Sequence, residues 1–159
     1  NRKVSYDTLS NYLGYIEEAF LAYKTERYNI KGKDVVAGNC KYYLNDLSFK
    51  NFLYPGFAYG VGYLLENAVY LELRRLGYIV YTGSFRDKEV DFVAMKDDRV
   101  IYLQATYMLE TAQTMEREYA PLLTIGDNYE KYVVSMDEVQ FPSNEGVRHI
   151  QAWNLKEIL

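Results

Sequence analysis

The spacing of apolar and polar residues predicts two long amphipathic helices in the first half of the chain. One covers about residues 5–19, where apolar side chains recur every three or four positions after Ser5, a residue type that caps helices. The other runs from Val61 to Leu76, and Gly77 follows it where a C-terminal cap belongs. A third helix, rich in Glu and Met, is predicted for about residues 111–123.

Shorter apolar runs between these helices predict strands. A turn is predicted at Lys31–Asp34, and residues 31–39 are expected to be mobile because they carry little apolar surface to bury. A short terminal helix is predicted at 155–159. The predicted strands cover residues 21–28, 41–44, 78–81, 89–95, 100–107, 132–135 and 147–152.

The order of these elements divides the chain into two parts. Residues 1–50 have the helix, strand, loop, strand order of a winged helix seen from its last helix onward. The helix carries acidic residues and little positive charge, which favours a connector over a DNA-contacting element. Residues 51–159 alternate helices and strands, which predicts an α/β fold with a mixed sheet.

A polar cluster is predicted at one end of the hairpin formed by residues 89–107. If Asp97 and Asp98 form its turn, Asp91 lies across from Gln104 and Glu89 lies across from Thr106. Strict alternation would put these four side chains on one face. Glu66, at the edge of the apolar stripe of the 61–76 helix, could reach them. The opposite face would be apolar, with Val90, Phe92, Ala94, Ile101, Leu103 and Ala105.

Composition narrows the class of protein. The chain has 159 residues, of which 49% are hydrophobic and 25% charged, as in an ordinary globular domain. No apolar run is long enough to span a membrane, and no secretory signal is visible. Cys40 is the single cysteine, so no internal disulfide forms, which fits the cytoplasm. Because the chain begins without methionine, we expect it to be a piece of a longer protein.

Charge and the aromatic content bear on the choice of partner. The net charge of −4 disfavours strong binding of phosphate backbones by this chain alone. The 18 tyrosines could form a stacking surface for bases, or they could occupy half-buried positions around the core. His149 is the single histidine and, like Cys40, is interpreted as structural.

Segments in both parts of the chain resemble one prokaryotic family. They are similar, in order and spacing, to the C-terminal domain of unassigned function of prokaryotic AAA+-type ATP-binding proteins. The resemblance covers nearly the whole chain. It is carried by Tyr28–Lys33, Lys41–Asp46, Leu65–Tyr78, Glu89–Ala94, Tyr102–Tyr107, the Arg117-Glu118 and Pro121-Leu122 pairs, and Asp127–Tyr132.

The resemblance implies a restriction-endonuclease-like fold of the PD-(D/E)xK type and an ATPase domain N-terminal to this one. The chain has no glycine-rich Lys-Ser/Thr motif, so ATP is expected only in that other domain. By the family pattern, Glu66, Asp91 and Gln104 would be the ligands of a catalytic Mg²⁺. Thr106 stands at the position of the catalytic lysine.

The threonine departs from the pattern, because a hydroxyl carries no positive charge and is a poor base at neutral pH. Lys88 and Arg117 are the candidates to replace the missing cation, but Lys88 has the wrong strand parity and Arg117 cannot act as a base. We therefore expect a degenerate nuclease site in a module that binds nucleic acid or a protein partner. The alternatives are an active Mg²⁺-dependent DNA phosphodiesterase and a structural domain for oligomerisation.

Overall fold

A computed structural model describes residues 4–56 and 60–159. The strands are β1 Ala22–Asn29, β2 Asp34–Leu44, β3 Ile79–Phe85, β4 Lys88–Lys96, β5 Arg99–Ala105, β6 Glu130–Ser135 and β7 Val147–Gln151. The helices are α1 Tyr6–Glu18, α2 Ser48–Leu53, α3 Val61–Arg75 and α4 Ala112–Leu123, and a 3-10 helix covers Ala152–Glu157.

All seven strands belong to one sheet in the order β2-β1-β3-β4-β5-β6-β7. β1 pairs with β3 in parallel, β6 is parallel to both β5 and β7, and the other neighbours are antiparallel. The predicted mixed α/β fold is thereby confirmed. The two parts distinguished in the sequence share this sheet, because β1 and β2 extend it beyond β3.

Helices cover the two faces of the sheet, so the fold has three layers. One face of the sheet, here called the α3 face, is covered by Leu65, Val69 and Leu73 of α3. The other, the α4 face, is covered by Tyr119 and Leu122 of α4. Each face has its own apolar cluster. On the sheet, the α3 face includes Val80, Phe92, Ala94, Ile101, Leu103 and Tyr132, and the α4 face includes Val90, Val93, Tyr102, Val133 and Val147. Among residues 4–56 and 60–159, every helix is too short or too polar to cross a lipid bilayer.

The predicted helices agree with the structure to within a few residues. The Ser5 side chain accepts a hydrogen bond from the Thr8 amide and caps α1. Gly77 follows α3 with a φ of +89°, a conformation that glycine adopts without strain. The sequence did not predict α2, and the predicted strand at 41–44 is only the end of the longer β2. β2 includes much of the stretch expected to be mobile, although most of its side chains there are exposed.

A β-bulge interrupts the pairing of β3 with β4. Tyr81 pairs with Val93 and Gly83 pairs with Val90, so Thr82 faces two residues of β4. Those two residues are Asp91 and Phe92. Because of the extra residue, the alternation of β4 side chains between the two faces of the sheet shifts by one position across the bulge.

The bulge corrects one expectation drawn from strict alternation. The predicted hairpin register is right, since Phe92 pairs with Leu103 and Lys96 pairs with Arg99. However, Val90 lies in the α4 cluster and Phe92 in the α3 cluster, whereas alternation put them on one face. The bulge is the physical reason, because an additional residue in one strand shifts the alternation by one position.

Gly83 allows the sheet to pack closely beside the bulge. A Cβ atom at this position would lie 2.8 Å from a methyl carbon of Val93 and 3.0 Å from the Cβ of Val90. These contacts are shorter than van der Waals distance, and Val90 and Val93 are held by the buried core. A side chain at Gly83 would therefore displace β4 where it carries Asp91.

We predict that Gly83→Ala lowers the free energy of unfolding by about 1–3 kcal/mol, the usual range for overpacking a core. The control is Gly62→Ala in α3, where an added Cβ meets nothing within 4 Å. Because alanine favours a helix over glycine, Gly62→Ala is expected to leave stability unchanged or to raise it. Urea unfolding of both variants measures the difference. Equal stability of the two variants would contradict the close packing at Gly83.

Candidate functional site

Acidic side chains from two elements meet the ammonium group of Lys41 on the α3 face. Lys41 Nζ lies 2.9 Å from Glu66 Oε1, 2.9 Å from Glu89 Oε1 and 3.4 Å from Asp91 Oδ1. Glu66 comes from α3, while Glu89 and Asp91 come from β4. An ammonium group has three N–H donors, and these three carboxylates can accept all of them. We call these four residues the Lys41 cluster.

Neighbouring residues of β2 fix Lys41 in this position. Lys41 and Tyr43 are two residues apart in the strand and so point to the same face. The Tyr43 ring stacks on Tyr70 of α3, with 4.2 Å between centroids and 15° between planes. Its hydroxyl donates a hydrogen bond of 2.7 Å to the same Glu66 oxygen that Lys41 contacts. Strand β2 and helix α3 are therefore joined by stacking, hydrogen bonding and charge at one point.

Asp91 is the most buried carboxylate of the Lys41 cluster. Its Oδ2 accepts a hydrogen bond of 3.0 Å from the Ala105 amide, while its Oδ1 faces Lys41. The bulge allows the carboxylate to reach the α3 face. Burial, and next the negative charge of Glu66, raise the pKa of Asp91 to about 7, although Lys41 opposes the shift.

The surrounding charges nearly balance. Arg27 of β1 forms an ion pair with Glu89, so two cations face three carboxylates. Burial is the largest single influence and lowers the pKa of Lys41, but the charges of Asp91 and Glu66 and the hydrogen bonds to Glu66 and Glu89 together outweigh it and raise that pKa above its ordinary value. Lys41 is therefore charged at neutral pH. Burial and Glu66 also raise the pKa of the Tyr43 hydroxyl, which stays protonated as a donor.

The structure brings together two of the four site residues expected from the sequence. Glu66 and Asp91 contact the same ammonium, so their oxygens lie close enough to share one cation. Gln104 approaches Asp91 differently, because its amide oxygen accepts a hydrogen bond of 3.2 Å from the Asp91 backbone N–H. Gln104 alternates with Leu103 and Ala105, which face α3, and so belongs to the other side of β5.

Thr106 lies just beyond the end of β5 and is buried. Its backbone amide donates to the carbonyl of Val134. The expectation that Glu89, Asp91, Gln104 and Thr106 share one face is therefore wrong for Asp91 against Gln104. The bulge turns the aspartate carboxylate toward α3, and β5 keeps regular alternation.

The cations considered as substitutes for the missing lysine have other partners. Lys88 donates to the carbonyl of Ala120, and Arg117 pairs with the neighbouring Glu118. The cation at the acid pair is Lys41, which the sequence did not single out. The only signal was the spacing of Lys41 and Tyr43 in a predicted strand, and that spacing cannot show which strand lies beside the acids.

The residues present do not fit a divalent metal ion as they stand. Within the described ranges, no three His, Cys, Asp or Glu side chains are grouped so as to hold a metal. The Glu66 and Asp91 oxygens that would bind it are engaged by the Lys41 ammonium. Gln104, the third expected ligand, is bonded to backbone instead.

A pocket of about 390 Å³ adjoins the Lys41 cluster between β2 and α3. Its polar lining residues include Lys41, Lys50, Glu66 and Asn67, but most of the exposed lining is apolar, with Leu44, Leu47 and Leu64 among the apolar residues. Tyr63 also lines the pocket and is 69% exposed. The surface next to the acid pair is therefore mainly apolar rather than basic.

His149 belongs to a separate buried network. Its Nδ1 accepts the Phe141 amide, so Nε2 carries the hydrogen and donates to the Ser135 hydroxyl, which donates to Asp137. Burial lowers the pKa of His149, which favours this neutral form. The interpretation of His149 as structural agrees with these contacts, because a nucleophilic serine would need the imidazole to accept its proton.

The coupling of Lys41 to Glu66 can be measured by a double-mutant cycle. We predict that Lys41→Met lowers the free energy of unfolding by about 1–3 kcal/mol, because it leaves buried carboxylates unpaired but the Lys41 side chain itself is 30% exposed. Adding Glu66→Gln should restore part of this loss, because one of those charges is then gone. The comparison is the same cycle on the exposed Glu72–Arg75 pair, where we expect a much smaller coupling. Equal coupling energies in the two cycles would contradict the cluster's role.

This chain is similar in sequence to part of longer proteins. The chain is 37% identical to an uncharacterized protein of Haemophilus influenzae over 128 residues, which cover 80% of this chain and 31% of that protein. It is 32% identical to the uncharacterized protein MJ1544 of Methanocaldococcus jannaschii over 122 residues, covering 74% of this chain and 26% of that protein. No protein-family model and no solved structure matches the chain. The chain thus spans less than a third of the length of the curated relatives it matches.

Proposed function

We propose that the chain is the nuclease-like C-terminal domain of an AAA+-type ATP-binding protein and serves as a binding module that does not cleave phosphodiester bonds. One observation carries the proposal. The two acids that a nuclease of this type would use for metal binding, Glu66 and Asp91, are bonded to the ammonium of Lys41. A proposal of an ATPase elsewhere in the protein is compatible with the greater length of the relatives.

Further features support a module without cleavage. Thr106 carries no charge that could stabilise a phosphate in the transition state, and it is buried. The Gln104 amide oxygen is used by the Asp91 backbone. A restriction-endonuclease-like arrangement of this sheet is part of the same proposal, since it rests on the resemblance of the sequence.

The surface beside the acid pair favours a protein partner over nucleic acid. The pocket next to Lys41 has mostly apolar walls, and Phe52 and Leu53 of the nearby α2 are 83% and 62% exposed. Apolar surface of this kind marks protein interfaces, whereas nucleic-acid sites are rimmed by Lys and Arg. The net charge of −4 points the same way. The ATPase domain of the same protein is one candidate for this partner.

Two alternative functions each have one observation in their favour. An active Mg²⁺-dependent phosphodiesterase is supported by Lys41, which brings a positive charge to the acid pair from another strand than the family pattern uses. A structural domain for oligomerisation is supported by α1, which has no buried residue although its apolar side chains recur at helical spacing.

We predict that the chain does not cleave supercoiled plasmid or single-stranded DNA in the presence of Mg²⁺ or Mn²⁺. A missing general base typically lowers the rate by about 10²–10⁴-fold. The measurement compares the unchanged chain with Asp91→Ala and Thr106→Lys. Cleavage by the unchanged chain that Asp91→Ala abolishes would contradict the proposal and establish the phosphodiesterase.

The same preparation tests for nucleic-acid binding. We expect fluorescence anisotropy of labelled single-stranded and duplex DNA to show no binding tighter than the non-specific range, about 10⁻⁴–10⁻⁶ M at physiological salt. Binding in the nanomolar range that falls steeply with added salt would show that the partner is nucleic acid.

In the cleavage assay, a gain of cleavage in Thr106→Lys alone would show that the scaffold can still support catalysis.

A further inference from the structure

We propose that Lys41 is an internal counter-ion that takes the place of a divalent cation between Glu66 and Asp91 and keeps the pair closed to metal ions in solution. The inference rests on the proposed function, which it deepens by saying what replaces the metal.

The Lys41 ammonium contacts the two oxygens that a shared metal ion would need. Lys41 Nζ contacts Glu66 Oε1 at 2.9 Å and Asp91 Oδ1 at 3.4 Å. A divalent cation shared by those oxygens would need to lie about 2.0–2.6 Å from each of them. It would then lie within a few ångströms of the ammonium nitrogen, a distance at which two cations repel each other strongly. The cation and the ammonium therefore exclude one another.

The charges around Lys41 also oppose binding of a divalent cation. Lys41 and Arg27 face Glu66, Glu89 and Asp91, which leaves at most one uncompensated negative charge. Proteins bind Mg²⁺ through carboxylate oxygens, and these attract the ion less when another cation is already paired with them. Without Lys41 the same group would carry one more negative charge at the oxygens that now contact the ammonium. The lysine therefore lowers the negative charge that would attract a divalent cation to this site.

Moving the Lys41 ammonium away from the acids would cost energy, because the residue is partly buried and its strand is fixed. The side chain is only 30% exposed, and the backbone at Lys41 pairs with Thr25 of β1. Tyr43, on the same face of β2, is locked by its stacking on Tyr70 and its bond to Glu66. Displacing the ammonium would break its contacts with all three carboxylates.

Titration of metal-free protein with Mn²⁺, followed by calorimetry and by the electron paramagnetic resonance of free Mn²⁺, tests the proposal. We expect the unchanged chain to show no specific Mn²⁺ site. Lys41→Met should show one Mn²⁺ site, with an affinity at least about tenfold above any residual Mn²⁺ binding by the unchanged chain, because a competing positive charge is gone. Adding Asp91→Asn to Lys41→Met should abolish this gain.

Two control variants separate the place of the charge from its sign. Lys24→Met removes a positive charge from an exposed position of β1 and should leave Mn²⁺ binding unchanged. Lys41→Arg keeps the charge and should keep the site closed. Either of two results would overturn the proposal. In one, the unchanged chain binds Mn²⁺ and Asp91→Asn abolishes that binding. In the other, Lys41→Met binds Mn²⁺ no more tightly than the unchanged chain.

A measurement on the unchanged chain covers the case in which Lys41→Met fails to fold. Mn²⁺ broadens the amide resonances of residues near it, so selective loss of the Ala105 and Glu66 signals at low Mn²⁺ would overturn the proposal. Intact signals would support it. The cleavage assay decides the proposed function separately, because a chain that binds Mn²⁺ without cutting DNA refutes only the role of Lys41.

Discussion

Two carboxylates buried close together are costly unless a cation neutralises them, and this requirement organises one half of the fold. Glu66 on α3 and Asp91 on β4 contact the same ammonium group and are largely shielded from solvent. Burial and mutual repulsion raise the pKa of Asp91 to about 7 even with Lys41 beside it. The ammonium that offsets them comes from β2, an edge strand of the sheet, which must therefore be held in register for the buried acids to be tolerated. Tyr43 and Tyr70 supply that fixation by stacking.

The same arrangement connects the fold to the proposed function. The bulge in β4 turns Asp91 toward α3, and Gly83 of β3 leaves room for Val90 and Val93, which lie on either side of the bulge. Glu66 reaches the acid from the edge of the apolar stripe of α3, as the helical pattern predicted. Under the proposed function, a nuclease-like scaffold would keep its acid pair while the Lys41 ammonium occupies the oxygens that a metal would need. The mainly apolar pocket beside the pair would then be the surface that we propose for a partner.

The sequence predicts local features of this protein well and long-range ones poorly. Helices α1, α3 and α4 and the β4–β5 hairpin follow from periodicity and from one turn, because those signals lie within a few residues. The bulge at Asp91 and Phe92 leaves no mark in the pattern, so the face assignment of Val90 failed. Lys41 was missed because its role depends on β1 and β2 extending the sheet beside β3, and strand order is set by packing across the whole chain.

The role of Lys41 is tested most directly by an anomalous difference map from a crystal of the chain soaked in Mn²⁺. If Lys41 is the counter-ion of the acid pair, no anomalous peak lies between Glu66 and Asp91, and the Lys41 side chain is in clear density with its nitrogen in contact with both carboxylates. A manganese peak bonded to both carboxylates, with the Lys41 side chain turned toward solvent, would contradict this role.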